Sequence, residues 1–202
     1  MAPVADLDTV VDYCTFGPER VYVLMAIARP KENEDLTHGS APVIREVVED
    51  AEDLRRTVDQ LDHAVSRFEA TYRLYCSANA RDVTTAFFEL RRDTDEWLEM
   101  RLGGNEEVLG KFRRIDSEFK SVLQRDTCRD GTTFVFDLDD ATEADAETLR
   151  ADLAEFTEIH MTRATPNGYH VVADPFNYNE LATDVEYELK TDGMIFLSYV
   201  GE

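Results

Sequence analysis

The segment Thr132-Thr-Phe-Val-Phe-Asp-Leu-Asp-Asp140 is the most informative part of the sequence, because aromatic and β-branched residues at this density favour a buried strand. Side chains two residues apart in a strand lie on the same face. Asp137 and Asp139 therefore present two carboxylates together where the predicted strand over 132–138 ends. Carboxylate oxygens are the ligands that divalent cations prefer, and bound cations assist phosphoryl or nucleotidyl transfer. The alternative is an acidic strand end of no special function in a chain rich in acids.

A second motif, Thr165-Pro-Asn-Gly-Tyr-His170, places a turn ahead of a predicted strand over 169–173. Proline at the second position and glycine at the fourth are typical of a β-turn. A phosphate can approach Gly168 and the turn amides closely, where His170 would donate a hydrogen bond to it. A histidine in a strand is also often a structural residue, so both interpretations stay open.

A third candidate is Arg81, in the segment Asn79-Ala-Arg-Asp82. It lies between a predicted strand over 71–77 and a predicted helix over 83–101, which Asp82 is placed to cap. At a helix start an arginine contacts a phosphate or forms a salt bridge, and the sequence allows either.

The C-terminal segment adds a group of acids around Lys190: Asp184, Glu186, Glu188 and Asp192. Any one of them is a candidate third metal ligand, and Asp192 is chosen because it precedes the last hydrophobic strand. Asp192-Gly193 is equally typical of a plain hairpin turn between predicted strands over 185–189 and 194–200.

Hydrophobic periodicity predicts the remaining elements. They are a buried strand over 20–28, a long amphipathic helix over 42–70, helices over 106–125 and 143–156, and a strand over 158–164. This order predicts an α+β (mixed α/β) fold with an antiparallel C-terminal sheet. We divide the chain into an N-terminal strand plus long helix over 1–70 and a core over 71–202, packed as one compact unit. An exposed apolar face on helix 42–70 would indicate a partner protein or a homodimer.

The charge balance is strongly acidic. The 202 residues include 21 basic and 43 acidic ones, a formal net charge of −22, with only four lysines against 17 arginines. Such a composition is typical of salt-adapted (halophilic) proteins, in which molar salt screens charge repulsion beyond about 3 Å. A negative chain ordinarily argues against nucleic-acid binding, but that argument loses its force in a halophile, where every surface is acidic.

Composition also bears on location. The three cysteines, Cys14, Cys76 and Cys128, are isolated and have neither zinc-site spacing nor a disulfide pattern. No apolar segment approaches the ~20 residues of a membrane span, and Met1–Asp6 lacks the basic start of a secretory signal. We therefore expect a cytoplasmic protein with no membrane partner.

These motifs, in this order, resemble the catalytic core of the archaeo-eukaryotic primase (primase-polymerase) superfamily, especially its short phage and virus members. The resemblance covers residues from about 70 to 202 and is carried by Asn79-Ala-Arg81, Asp137-Leu-Asp139, Gly168-Tyr-His170 and a late acid. It implies an RNA-recognition-like antiparallel sheet core with an N-terminal α/β unit; the long amphipathic helices come from the periodicity, and helix 42–70 lies outside the resemblance. With the acidic composition, it suggests a halophilic archaeon or its virus as the source.

The resemblance also implies a reaction. In that family the two aspartates and the late acid bind the catalytic metals, which places Mg²⁺ or Mn²⁺ on Asp137, Asp139 and Asp192. The implied function is metal-dependent nucleotidyl transfer in DNA replication or repair, as a primase or polymerase acting on nucleotides and single-stranded DNA or RNA.

The nucleotide contacts implied by the resemblance come from four residues. His170 and Gly168 would position the triphosphate of the incoming nucleotide. Arg81 and Arg163 are candidates for contacts with nucleotide or template phosphates.

Two other interpretations remain. The chain would keep this fold but act as a catalytically inactive module that binds nucleic acid or a replication partner protein. Alternatively, Phe136-Asp-Leu-Asp-Asp140 resembles the nucleophile motif of haloacid-dehalogenase-type phosphatases, in which the first aspartate attacks phosphate and the second serves as acid and base. That family builds its sheet from long α/β repeats after the motif.

Overall fold

The computed structural model describes residues 7–33 and 43–201, which form two antiparallel sheets with helices and confirm the predicted α+β class. The helices are α1 (Leu7–Tyr13), α2 (Ala51–Val65), α3 (Val83–Leu102), α4 (Leu109–Arg113), α5 (Ile115–Val122) and α6 (Glu143–Leu153). The strands are β1 (Arg20–Ala28), β2 (Val43–Val48), β3 (Tyr72–Ser77), β4 (Ala80–Asp82), β5 (Arg129–Asp130), β6 (Phe134–Asp139), β7 (Ile159–Thr165), β8 (Gly168–Ala173), β9 (Glu188–Lys190) and β10 (Met194–Val200). Short 3-10 turns lie at Asp126–Cys128 and Tyr178–Glu180.

The larger sheet is built around β1. Its order is β10-β3-β1-β4-β5, and β2 also pairs with β1. β1 is buried along most of its length because it is an almost continuous apolar run. The C-terminal strand β10 pairs with β3, so strands from before and after residue 70 share this one sheet.

The smaller sheet contains the strand that carries the Asp-x-Asp motif. Its order is β7-β8-β6-β9, with every neighbouring pair antiparallel. Along the chain the elements run β6-α6-β7-β8-β9, and the 3-10 turn at 178–180 takes the place of a second helix. This chain order and spatial order form a split β-α-β arrangement, the layout expected of an RNA-recognition-like sheet.

β6 is fixed in the middle of the smaller sheet by packing. Its apolar residues Val135, Phe136 and Leu138 are fully buried. Helix α6, which begins at a capping box formed by Thr142 and Asp145, packs its apolar face against the same strand. The acidic end of β6 therefore extends from a strand held on both faces.

The predicted helix over 42–70 is wrong in its first part. Val43–Val48 form β2, antiparallel to β1, and α2 begins only after Asp50, whose side chain accepts a hydrogen bond from the Asp53 N–H at 2.7 Å. The β-branched residues of β2 lose side-chain freedom in a helix and pack well in a sheet, which explains the difference. The apolar face of α2 is itself buried in the core, so α2 does not present the exposed apolar face that would indicate a partner protein or a homodimer.

Two further predictions are corrected. The predicted helix over 106–125 is broken into α4 and α5 at Arg114, whose backbone is not helical. The predicted C-terminal hairpin does not form, because β9 pairs with β6 and β10 pairs with β3. Asp192 and Gly193 thus lie on the crossover between the two sheets.

The other predicted elements are confirmed to within a few residues: the strands at 20–28, 71–77, 132–138, 158–164 and 169–173 and the helices at 83–101 and 143–156. Asp82 caps α3 as expected. None of the helices among the described residues is long and apolar enough to cross a membrane. Met1–Asp6, on which the secretory-signal expectation rests, and residue 42 lie outside the described ranges.

Candidate functional site

The candidate site is a cavity of about 450 Å³ where the two sheets meet. Four of the predicted site or ligand residues border it: Asp137, Asp139, His170 and Asp192. Four cationic side chains border it too: Arg29, Lys31, Arg73 and Lys190. Two of the chain's four lysines are therefore at this one cavity, in a protein with a net charge of −22.

Asp137 and His170 face each other directly across β6 and β8. The backbone N–H of Phe196 donates to Nδ1 of His170 at 3.4 Å, so in the neutral ring the proton is on Nε2. Nε2 lies 3.3 Å from Oδ1 of Asp137. The hydrogen bond from His170, helped by Lys190 and opposed by burial, holds the pKa of Asp137 at about 2, below its ordinary 3.8.

Lys190 is the second partner of Asp137. Its ammonium contacts Oδ2 of Asp137 and lies 3.2 Å from Oε2 of Glu188. Burial lowers the pKa of Lys190, but the contacts with Asp137 and Glu188 outweigh it and the net direction is upward. Both carboxylate oxygens of Asp137 are thus engaged by protein groups.

Asp139 differs from Asp137 in its surroundings. It is exposed at the end of β6 and lies opposite Gly168 in the sheet. Its carboxylate forms no hydrogen bond or ion pair with any other residue that the structure describes. Asp139 is therefore the acid of the Asp-x-Asp pair whose oxygens face the cavity without a protein partner.

Asp192 and Arg81 are brought together as an ion pair. The guanidinium of Arg81 donates to both oxygens of Asp192, at 2.9 and 2.7 Å, and Nδ2 of Asn79 donates to one of them at 3.1 Å. Arg81 is only 2% exposed. A bidentate pair with so buried a partner fixes the crossover between the sheets and leaves Arg81 inaccessible to a phosphate.

Gly168 is required by the backbone geometry of the turn. A Cβ added to it would lie 1.9 Å from the carbonyl oxygen of Leu138, so only glycine fits against β6 here. The neighbouring turn residues Thr165, Pro166 and Asn167 border the cavity. The turn therefore lies at the cavity, and Gly168 allows it to pack closely against the backbone of β6.

Arg163 does not border the cavity. It is 8% exposed, and its Nε and Nη2 donate to the carbonyls of Phe196 and Leu197, each at 3.0 Å. These contacts tie β7 to β10, the edge strand of the larger sheet. Arg163 is nevertheless next to the site, because it lies opposite His170 across β7 and β8 and both side chains bond to Phe196.

The cationic wall formed by Arg29, Lys31 and Arg73 was not predicted from the sequence. Arg29 lies 5.8 Å above the ring of Tyr75, and Arg73 forms a buried ion pair with Glu32. Arg29 and Lys31 form no ion pair with another residue in the described part of the chain. The scarcity of lysine was the available signal, because a lysine retained in so acidic a chain marks a place where a cation is needed.

A divalent cation fits this donor set only in part. Three carboxylates border the cavity, and oxygen donors suit Mg²⁺ or Mn²⁺. However, among residues 7–33 and 43–201 no three His, Cys, Asp or Glu side chains converge closely enough to hold a metal ion. Asp192 is taken by Arg81, so Asp137 and Asp139 are the pair that fits.

A larger cavity of about 620 Å³ lies elsewhere, beside α1 and β7. Four of its titratable groups form two pairs, His160 with Asp174 and Arg20 with Asp130, both at 2.9 Å. None of the predicted site residues borders it, so the smaller cavity is the candidate site.

Comparisons of this chain with protein-family models, with curated proteins and with solved structures gave no match.

Proposed function

We propose that this chain is a nucleotidyltransferase of the primase-polymerase type, which binds a nucleoside triphosphate in the cavity between the sheets. The observation that supports it most is the pairing of Asp137 with His170 across β6 and β8, beside Asp139 and a cationic wall. Asp137, His170 and Asp192 are distant in sequence yet border the same cavity, which supports the proposal.

The cationic wall supports a polyanionic substrate. A triphosphate needs several positive contacts, and Arg29, Lys31 and Lys190 border a cavity of about 450 Å³. His170 has a fixed ring and a proton on Nε2, which is suited to hold Asp137 in place or to donate to a phosphate oxygen.

The proposed cofactor is Mg²⁺ or Mn²⁺, which Asp137 and Asp139 would hold. When bound, such a cation neutralises the triphosphate and activates the attacking 3′ oxygen of a primer or first nucleotide. Asp192 would act through Arg81, by keeping the crossover that forms one wall of the cavity in place. We place this activity in the cytoplasm, in DNA replication or repair on single-stranded DNA or RNA.

A second candidate function is a binding module of the same fold without catalysis. It is favoured by one observation: Asp137 and Asp192 are both neutralised by protein cations. The phosphatase interpretation loses support, because both neighbours of β6 are antiparallel to it rather than members of a parallel α/β repeat.

The test is incorporation of labelled nucleotides on single-stranded templates, in molar KCl with Mn²⁺ or Mg²⁺. Asp139→Asn is the informative variant, because Asp139 is exposed and its loss leaves no partner unpaired. Asp116→Asn, at an exposed aspartate of α5, is the matched control.

We expect metal-dependent incorporation by the unmodified chain and by the control, and none by Asp139→Asn. Absence of incorporation by a folded, unmodified chain would favour the binding module instead. DNA and RNA templates, and deoxy- and ribonucleotides, are compared in the same experiment.

A further inference from the structure

Asp137, one of the two aspartates proposed to hold the metal ion, has both carboxylate oxygens occupied by protein partners. Oδ1 of Asp137 faces Nε2 of His170, and Oδ2 contacts the ammonium of Lys190. A carboxylate with both oxygens engaged accepts a divalent cation only after one of these partners leaves. The question is therefore which partner leaves, and what displaces it.

His170 is the fixed partner. Its side chain is 7% exposed, and its other ring nitrogen accepts the N–H of Phe196 in β10. Moving the ring would leave a buried donor and a buried acceptor unpaired, each at a cost. His170 therefore stays in place when the site changes its occupant.

Lys190 is the mobile partner. Its side chain is 37% exposed and divides its ammonium between Asp137 and Glu188. It belongs to β9, a strand of three residues at the edge of the smaller sheet. A lysine stem has many rotamers, so its ammonium can swing within the cavity without disturbing the backbone.

The cavity itself supplies the reason for Lys190 to move. Lys190 borders the same space as Arg29 and Lys31, where the triphosphate is proposed to bind. A triphosphate as a whole offers the ammonium more negative charge than a single carboxylate does. A bound triphosphate would therefore draw Lys190 away from Asp137.

We propose that Lys190 is a displaceable counterion: it occupies Asp137 in the free protein and moves to the nucleotide phosphates, which opens Asp137 to the divalent cation. The inference rests on the proposed function and makes Lys190 a positioning residue for it. Nucleotide and metal then bind cooperatively, and the free protein binds metal poorly.

The test uses the full chain and two separate probes in molar KCl. Mn²⁺ alone is titrated and free Mn²⁺ is followed by electron paramagnetic resonance. A non-hydrolysable triphosphate analogue is titrated separately by calorimetry with metal removed. Lys190→Met and Lys190→Gln are compared with Lys31→Met. Lys31 borders the same cavity but has no contact with Asp137.

We expect removal of the Lys190 charge to change the affinities for the two probes in opposite directions. Lys190→Met should bind Mn²⁺ about tenfold more tightly and the analogue about tenfold more weakly than the unmodified chain. Lys31→Met should weaken only the analogue, because molar salt screens its charge from Asp137. Removing a lysine with only a structural role would not strengthen Mn²⁺ binding while weakening binding of the analogue.

The failures are distinguishable. If both Lys190 variants bind Mn²⁺ no better than the unmodified chain, the counterion role is wrong while the proposed function stands. If the folded, unmodified chain binds neither the analogue nor Mn²⁺ in its presence, the proposed function fails and the inference fails with it.

Discussion

The Arg81–Asp192 pair offers the strongest test of how the site is built. Asp192→Ala removes the ion-pair partner of the Arg81 guanidinium, which is 2% exposed and has no other such partner among the described residues; it also removes an acceptor of Asn79. Removing one partner of a buried ion pair costs roughly 3–5 kcal/mol, because the remaining charge is left unpaired in the interior. Asp192 is itself 19% exposed, which places the expected loss near the lower limit, about 3 kcal/mol.

The assay is equilibrium unfolding by denaturant in molar KCl without divalent cations. A double-mutant cycle with Arg81→Met isolates the pair, since the double variant leaves neither charge of the pair without its partner. We expect the double variant to be less destabilised than the sum of the two single variants by at least about 2 kcal/mol. The matched control is Asp184→Ala, an acid of the same segment whose carboxylate has no partner among the described residues.

The opposite result has a clear meaning. If Asp192 were instead a free metal ligand, its removal from so acidic a chain would relieve repulsion and stabilise the metal-free protein. A loss of unfolding free energy below about 1 kcal/mol, or a gain, would therefore refute the role of Asp192 as the ion-pair partner of Arg81.

Three further predictions address other parts of the site. Gly168→Ala should destabilise the fold by about 3 kcal/mol or more, seen as a lower thermal midpoint, because its Cβ meets the Leu138 carbonyl; an unchanged midpoint would contradict that close approach. Arg163→Met should cost about 1–3 kcal/mol in denaturant unfolding by leaving carbonyls of β10 unpaired, with no effect on affinity for the triphosphate analogue. Asp137 has a folded-state pKa of about 2 against an ordinary 3.8, so its contribution is complete above pH 3.8 and is lost as the pH falls towards 2. The stability difference between the unmodified chain and Asp137→Asn should therefore be about 1 kcal/mol at neutral pH after allowance for solvent screening, and should vanish near pH 2; a difference independent of pH would be contrary to this.

Local pattern predicted the elements that are decided locally. β6 and β8 follow from β-branched and aromatic density, and α3 follows from its period and the Asp82 cap. The opposition of Asp137 and His170 was not visible in the sequence alone, because it depends on the register between the two strands. Only the family resemblance indicated that these residues belong to one site.

Long-range pairing accounts for what was missed. Val43–Val48 show apolar positions that suit a helix as well as a strand, and pairing with β1 decides between them. Asp192-Gly193 has the chemistry of a hairpin turn, yet its flanking strands find partners in different sheets. The same crossover brings Asp192 to Arg81, a partner 111 residues away.

The most direct test of the central claim, that the cavity between the sheets binds a nucleoside triphosphate, is calorimetric titration of a non-hydrolysable analogue into the unmodified chain and a cavity variant. Arg29→Met/Lys31→Met removes two cations from the wall, and Arg113→Met/Arg114→Met removes the same charge from α4 and its end. We expect about a tenfold or greater loss of affinity for the cavity variant and none for the control. Equal affinity in all three proteins, or no binding by the folded, unmodified chain, would contradict it.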